Sequence, residues 1–171
     1  MRLSVGSKLL LLITIGGGLA LTLMAVVLIG MELNRADQRF VERYKGLSDL
    51  ISTELAPALH LSDERIIGKR IKAFLSVAKD DLVLLRSYDL DGSQIYEYGK
   101  ADFETQLNQL ILNRLPTLQT GQIVIEQSEA DLVLLQPARL ASDEIAGFVG
   151  LIWSRLELQN QREELIVTSA W

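Results

Sequence analysis

The stretch from Leu82 to Tyr98, LVLLRSYDLDGSQIYEY, decides the fold of this chain. Its apolar run ends in Arg86-Ser87-Tyr88, a turn follows at Asp89-Leu90-Asp91-Gly92, and alternating residues return from Ser93 to Tyr98. Gly92 adopts the positive φ that such a turn needs without steric cost. The stretch therefore predicts a β-hairpin with a four- or five-residue loop.

Amphipathic helices are predicted on both sides of the hairpin. The upstream helix has Ser62 as its N-cap and Asp63 and Glu64 in its first turn, where carboxylates favour the positive end of the helix dipole. Its buried face is expected to contain Ile67, Ile71, Phe74, Leu75 and Ala78. The downstream helix is predicted over 102–115, with Phe103, Leu107, Leu110, Ile111 and Leu115 on one face and Pro116 closing it.

Three further strands are predicted over 122–127, 132–140 and 146–153, with turns at 128–131 and 141–144. With the hairpin they make five strands in one meandering antiparallel sheet with flanking helices. The predicted class is α+β, and the order of elements is that of a PAS-like fold.

The run from Leu9 to Met31 holds 23 residues and no charge. As a helix it spans about 34 Å, enough to cross a hydrocarbon core of about 30 Å. A cleaved signal peptide has an apolar core of about 7–15 residues followed by an A-x-A-like site, and neither applies here. The sequence therefore predicts a transmembrane helix over 9–31 after a cytoplasmic tail over 1–8.

The count of basic residues leaves the orientation of this helix open. Arg2 and Lys8 precede it, whereas Arg35, Arg39, Arg43 and Lys45 follow it. Because short basic amino-terminal tails usually stay inside, we expect the amino terminus in the cytoplasm. The body would then lie on the outer side of the membrane.

A membrane-proximal helix is predicted over 32–56, continuous with the membrane helix and ended by Pro57. An apolar stripe runs along it at spacings of three and four residues, formed by Leu33, Ala36, Phe40, Tyr44, Leu47 and Ile51. A stripe this narrow suits a parallel partner helix, so a homodimer interface is predicted at Phe40, Tyr44, Leu47 and Ile51. The alternative, packing on the chain's own domain, is weighed equally.

Composition excludes several classes of protein. The 171 residues carry 17 Lys and Arg against 22 Asp and Glu, and the body beyond residue 31 is the more acidic part. An acidic body argues against nucleic acid as a partner, which needs clustered basic residues. The absence of cysteine removes disulfide scaffolds, thiol catalysis and Cys-based zinc sites.

The sequence resembles the extracytoplasmic PAS-like sensor domains of bacterial membrane receptors, of the PDC or Cache type and the CHASE type. The matching residues are Leu55-Ala56-Pro57-Ala58-Leu59, then Asp63, then Val83 to Tyr88 with Asp89-Leu90-Asp91-Gly92, and last Ala146-Gly147-Phe148-Val149-Gly150-Leu151-Ile152. The resemblance covers most of residues 9 to 166. It implies a sensor domain over 57–153, ahead of a diguanylate cyclase, histidine kinase or chemotaxis transducer module.

The resemblance also implies a second membrane helix. Residues 154–171 are predicted to form an exit helix that leads to it, with Trp171 near the membrane interface. We therefore expect the chain to be the amino-terminal part of a larger receptor.

A ligand pocket is predicted between the sheet and its helices, lined by Arg86, Tyr88, Arg139 and Trp153. Arginine suits bidentate capture of a carboxylate or phosphate, so the expected ligand is a small anion. The competing interpretation, which we favour, is that Arg86 and Arg139 pair with Asp or Glu at the rim of the sheet. A periplasmic protein is the other partner considered.

No catalytic residue, metal site or cofactor is predicted. His60 is the single histidine, and no nucleophile is singled out near it. Asp89, Asp91 and Gly92 are similar to the start of a calcium loop, but the remaining ligands and the Glu at its twelfth position are absent.

The predicted function is the sensory input of an inner-membrane receptor. The alternative is a self-contained membrane-anchored binding or scaffold protein, and an anchored enzyme ranks last.

Overall fold

The computed structural model describes residues 5–78, 81–99, 104–156 and 159–160. The elements, in chain order, are α1 (Val5–His60), α2 (Glu64–Ala78), β1 (Leu82–Tyr88), β2 (Gln94–Gly99), α3 (Glu104–Gln119), β3 (Val124–Gln127), β4 (Asp131–Arg139) and β5 (Ile145–Ser154). The chain forms two compact units, Met1–Arg39 and Phe40–Trp171. The α+β class predicted from the sequence is confirmed.

In the first unit, α1 carries the one helix of the described residues that is long and apolar enough to cross a membrane. The large side chains between Leu12 and Met31 are almost all exposed. Thr22 donates its hydroxyl to the Gly18 carbonyl at 2.9 Å, which satisfies that polar group within the helix. The first charged residues beyond this run are Glu32 and Arg35, which pair at 3.1 Å.

In the second unit, the five strands form one antiparallel sheet in the order β2-β1-β5-β4-β3. The predicted strands are confirmed, but the meander is wrong. Consecutive strands β2 and β3 lie at opposite edges, and the first strand pairs with the last. The helix α3 causes this arrangement, because it carries the chain across one face of the sheet.

Each face of the sheet has its own apolar core. One face packs against α1 and α2, with Leu85, Leu134, Leu151 and Trp153 among its buried residues. The other packs against α3, and its buried residues include Leu84, Tyr88, Leu107, Leu110, Ile111, Phe148 and Ile152. Side chains alternate between the two faces along each strand. Because both faces are covered, nearly every residue of β1, β4 and β5 has to be apolar, which explains their nearly continuous apolar runs.

The β1–β2 hairpin is built as predicted, with a loop of five residues from Asp89 to Ser93. The Asp89 carboxylate accepts the backbone N–H groups of Asp91 and Ser93 at 3.0 and 2.8 Å. Gly92 has a φ of 81°. The carboxylate therefore serves the turn itself.

Two predicted helix ends are wrong, and both concern proline. Pro57 lies inside α1, which continues to His60, and Pro116 lies inside α3, which continues to Gln119. Both prolines lie on the exposed side of their helix. At an exposed position, solvent is able to satisfy the carbonyl that a proline leaves without a donor, which explains why each helix continues for one more turn.

The cap of α2 also differs from the prediction. The N-cap is Asp63, whose carboxylate accepts the Ile66 N–H at 3.1 Å, and not Ser62. Ser62 instead closes α1 with a φ of 50°, and its N–H bonds the Leu59 carbonyl while the Asp63 N–H bonds that of Ala58. These are the two hydrogen bonds of a Schellman motif, so one turn both ends α1 and starts α2.

The predicted exit helix lies largely outside the described residues, as does Phe103. Within them, Leu156, Gln159 and Asn160 are helical.

The apolar stripe of α1 packs within its own domain. Tyr44 and Ile51 are 2% and 1% exposed and belong to the core beneath α1, and Phe40 and Leu47 pack at its margin. Tyr44 also donates its hydroxyl to Asp81. Tyr44 and Ile51 are therefore buried by their own domain, as the alternative interpretation expects, and a homodimer interface along α1 stays a prediction.

Candidate functional site

Arg86 and Tyr88 lie together on the α3 face of the sheet. They alternate along β1 with residues of the core on the other face, so both point towards α3. Arg86 is fully buried, pairs with the carboxylate of Glu97 on β2 and donates to the Asn108 amide oxygen at 2.8 Å. The hairpin register sets this contact, because Arg86 is directly opposite Glu97. The interpretation that Arg86 pairs with a carboxylate is confirmed.

Tyr88 joins the same group through its hydroxyl, which lies 3.5 Å from the Asn108 amide oxygen. Desolvation raises the pKa of Tyr88 to about 12, and the nearby Arg86 opposes part of that rise. The phenol therefore stays neutral at any physiological pH. Arg86, Tyr88, Glu97 and Asn108 form what we call the β1 polar cluster.

Arg139 lies elsewhere, at the end of β4. It pairs with Asp143 at 2.8 Å and donates to the Gly121 carbonyl at 3.1 Å. These contacts tie the β4–β5 turn to the end of α3. As with Arg86, the predicted pairing with a carboxylate is confirmed.

Trp153 lies on the opposite face of the sheet from Arg86. It is completely buried beneath α1, stacks near Tyr44 with 4.5 Å between ring centroids, and donates its indole N–H to Ser48. The four residues predicted to line one pocket therefore occupy three separate places. Only Arg86 and Tyr88 are brought together, and their binding of a ligand stays a prediction.

An open cleft of about 950 Å³ lies where the start of α2 meets β2. It is lined by Leu61, Ser62, Asp63, Glu64, Arg65, Gly68, Lys69, Lys72 and Tyr96. We call it the α2 cleft. The Schellman turn supplies one end of it, and the exposed face of α2 supplies the floor.

Three cations of the α2 cleft follow helical spacing. Arg65, Lys69 and Lys72 are separated by four and three residues, which places them on one face of α2. The lining of the cleft thus carries three cations against the carboxylates of Asp63 and Glu64, although the chain as a whole has a net charge of −5. The sequence carries this signal, but a basic stripe on a helix is usually a solvated face, and only the cleft beside it distinguishes this one.

Gly68 brings β2 close to α2 at this cleft. A Cβ at residue 68 would lie 3.0 Å from the ring of Tyr96, so the ring rests directly on the glycine backbone. Tyr96 thereby forms an aromatic wall beside the three cations. Nothing in the sequence singles out Gly68 or Tyr96.

Among the described residues, no group of three or more His, Asp or Glu side chains is placed to hold a metal ion. His60 is exposed at the last turn of α1.

Solved structures resemble this chain in fold. The periplasmic domain of LuxQ from Vibrio cholerae aligns with a TM-score of 0.51 at 14% identity, over 78% of this chain and 69% of that one. A domain of a sensory box/GGDEF family protein from Vibrio parahaemolyticus aligns with a TM-score of 0.53 at 18% identity, over 82% of this chain and 61% of that one. No family model and no curated protein matches the sequence.

These likenesses show that the chain shares its fold with the two domains, and the fold is the PAS-like one predicted from the order of elements. At such identities the likeness extends to the fold and not to a ligand or a partner.

Proposed function

We propose that this chain is the sensory input region of a bacterial inner-membrane receptor. The observation that carries the proposal is the pairing of a PAS-like sensor fold in the second unit with a membrane-length apolar helix in the first. The periplasmic origin of the similar LuxQ domain supports a periplasmic body and a cytoplasmic amino terminus.

The proposed signal is a change in how the domain packs on α1. Contacts to α1 come from both α2 and the sheet, and a stimulus that favours one packing over another shifts the population between the two. In a homodimer, such a shift becomes a rearrangement of two α1 helices. The stimulus is a small anion or a periplasmic protein, and the output is a cytoplasmic diguanylate cyclase, histidine kinase or chemotaxis module.

The β1 polar cluster is one place for such an anion. Arg86 and Tyr88 already converge there, but the charge of Arg86 is balanced by Glu97, so a ligand carboxylate has to replace that of Glu97. Arg139 and Trp153 lie away from the β1 polar cluster, so a ligand bound at that cluster does not contact them.

The coding sequence beyond Trp171 tests the proposal. An apolar run of about 20 residues followed by a soluble module supports the receptor. A stop codon there contradicts it and favours the alternative, a self-contained membrane-anchored binding or scaffold protein.

A reporter fusion tests the orientation separately. Alkaline phosphatase, which is active only in the periplasm, is fused to the chain directly after Asn160. We expect an active enzyme. An inactive enzyme that is present at normal abundance reverses the proposed orientation.

A further inference from the structure

We infer that the α2 cleft binds a small anion through its carboxylate or phosphate groups, held by Arg65, Lys69 and Lys72. The inference rests on the proposed sensory function for the biological purpose of this binding. The binding itself is measurable without any output module. It assigns the anion to a different place from Arg86 and Arg139.

The three cations are available to a ligand. In the part of the chain that the structure describes, none of the three forms a salt bridge. Their neighbour Arg70 shows the contrast, because it reaches across to α1 and pairs with Glu54 at 2.8 Å. The cations on the cleft side of α2 therefore differ from the cation that holds α2 to α1.

Their arrangement costs stability in the absence of an anion. Like charges four residues apart on a helix destabilise it, and here Arg65 and Lys69 have that spacing, with Lys72 three residues further. A bound anion offsets these repulsions, because it attracts each of the cations. A ligand with two or more negative groups gains most, because it contacts successive turns of α2 at once.

The carboxylates at the end of the cleft do not cancel the three cations. Asp63 is engaged as the N-cap of α2 through the Ile66 N–H, and its charge is directed at the helix end. Glu64 lies at the first helical position, before the stripe. The ligand is therefore placed along α2 from Arg65 to Lys72, beside Tyr96, and not on the N-cap residue Asp63.

The close contact between Gly68 and Tyr96 gives the site a fixed wall. The ring lies against the helix backbone, so it bounds the cleft without a flexible side chain between. The opposite side is open, and an open basic cleft suits a well-hydrated polyanion better than an apolar compound.

The test uses the full chain in a non-ionic detergent at low ionic strength, with citrate and inorganic pyrophosphate as probes. Isothermal titration calorimetry measures their binding, with sodium chloride at matched ionic strength as the blank. The variants are Arg65→Gln, Lys69→Gln, Lys72→Gln and the triple variant. Glutamine keeps the length and helix propensity of these exposed positions, and circular dichroism checks that the fold is retained.

The matched control is Lys45→Gln, an exposed lysine on α1 that does not line the cleft. We expect saturable binding of at least one probe and a loss of about two- to five-fold for each single substitution, the scale of one exposed charge pair. The triple variant should lose binding, and Lys45→Gln should bind as the wild type does.

Three results overturn the inference. The first is no saturable binding of either probe up to about 10 mM, ten-fold above a millimolar dissociation constant. The second is binding that survives in the triple variant. The third is equal loss in Lys45→Gln, which indicates attraction by net charge alone.

Failure here and failure of the proposed function are distinguishable. If the probes do not bind but a membrane helix and an output module follow Trp171, the receptor stands without this site. If the probes bind and a stop codon follows, the site stands and the receptor does not.

Discussion

The indole N–H of Trp153, near the end of the last strand, donates to the hydroxyl of Ser48 in α1 at 3.1 Å, and both residues are fully buried. One helical turn further, Gln136 on β4 donates its amide to Ser52 at 2.6 Å. Two buried serines at positions i and i+4 thus join α1 to the sheet. Such bonds fix the position of the helix along the sheet, which apolar contacts alone leave loosely defined.

Replacing Ser48 with alanine should lower the free energy of unfolding by about 1–3 kcal/mol, because the Trp153 N–H is left buried without its acceptor. Urea unfolding of the full chain in non-ionic detergent measures this change. Thr53→Ala is the control, since Thr53 is exposed and bonds only the Asp49 carbonyl of its own helix. Equal effects of the two substitutions would contradict a role for the Trp153–Ser48 bond.

Alkaline pH should destabilise the domain through Tyr88. Burial raises the pKa of Tyr88 to about 12 in the folded chain, against an ordinary value of 10.0 for an exposed tyrosine. Because the folded pKa is the higher, the contribution of neutral Tyr88 is complete below about pH 10 and is lost as the pH rises towards 12. Tyr88→Phe should therefore flatten the fall of stability in that window.

The measurement for Tyr88 is the pH dependence of the urea midpoint, with the ultraviolet absorbance of tyrosinate recorded in parallel. Tyr98→Phe is the matched control, because Tyr98 is 37% exposed. If Tyr98→Phe flattens the curve as much as Tyr88→Phe, the burial of Tyr88 is not the cause.

Glu97→Ala should lower the free energy of unfolding, measured by urea unfolding, by about 3 kcal/mol. The substitution removes the negative charge that faces the fully buried Arg86. The value is at the low end for a buried pair because the Glu97 side chain is 28% exposed and Asn108 remains. Glu126→Ala serves as the comparison. Its pair with Arg114 is exposed and 3.6 Å long, so little change is expected. A smaller effect at Glu97 than at Glu126 would refute this account.

Two glycine-to-alanine substitutions should act in opposite directions. At Gly46, nothing lies within 4 Å of an added Cβ, and the residue is an exposed position inside α1, so alanine should stabilise by about 0.5–1 kcal/mol. At Gly150, an added Cβ would lie 2.8 Å from Leu135 and 3.0 Å from Leu107, so alanine should destabilise by pushing α3 off the sheet. Thermal unfolding shows whether each substitution raises or lowers the melting temperature. A change in the same direction for both variants would disprove the packing described for Gly150.

Disulfide trapping tests the proposed homodimer on adjacent residues of α1. Leu50 is 55% exposed, whereas Ile51 is 1% exposed within the core. If two copies meet along α1, Leu50→Cys should cross-link under mild oxidation and Ile51→Cys should not, and the chain has no native cysteine to interfere. Cross-linking at neither position would exclude a dimer through this part of α1, and cross-linking at Ile51 alone would place the dimer interface on the apolar stripe instead.

The sequence predicts the strands well because their apolar runs and turns are local signals. The hairpin from Leu82 to Tyr98 is correct to within a residue at each end, and its turn chemistry is visible in Asp89 and Gly92. The order of strands is not local. Neither β1 nor β5, taken separately, has a feature that predicts their pairing. In a meander the two strands would be separated by the strands between them.

The errors at Pro57 and Pro116 have a shared physical origin. A proline forbids one backbone hydrogen bond, but whether the helix ends depends on what else satisfies the freed carbonyl, which the sequence does not show. The stripe from Phe40 to Ile51 is recognisable as buried, but periodicity does not reveal the identity of the covering surface. For Arg86, the residue type predicts pairing with a carboxylate, and the partner Glu97 becomes evident only from the hairpin register.

The pairing of the first strand with the last affects how the chain acquires its structure. The centre of the sheet, β1 against β5, cannot close until the ribosome has released almost the entire domain, because β5 ends at Ser154. Sheets that depend on pairing between distant segments fold slowly, since the intervening loop must be ordered first. A nascent chain with this topology therefore completes its sheet only after β5 has been synthesised and released.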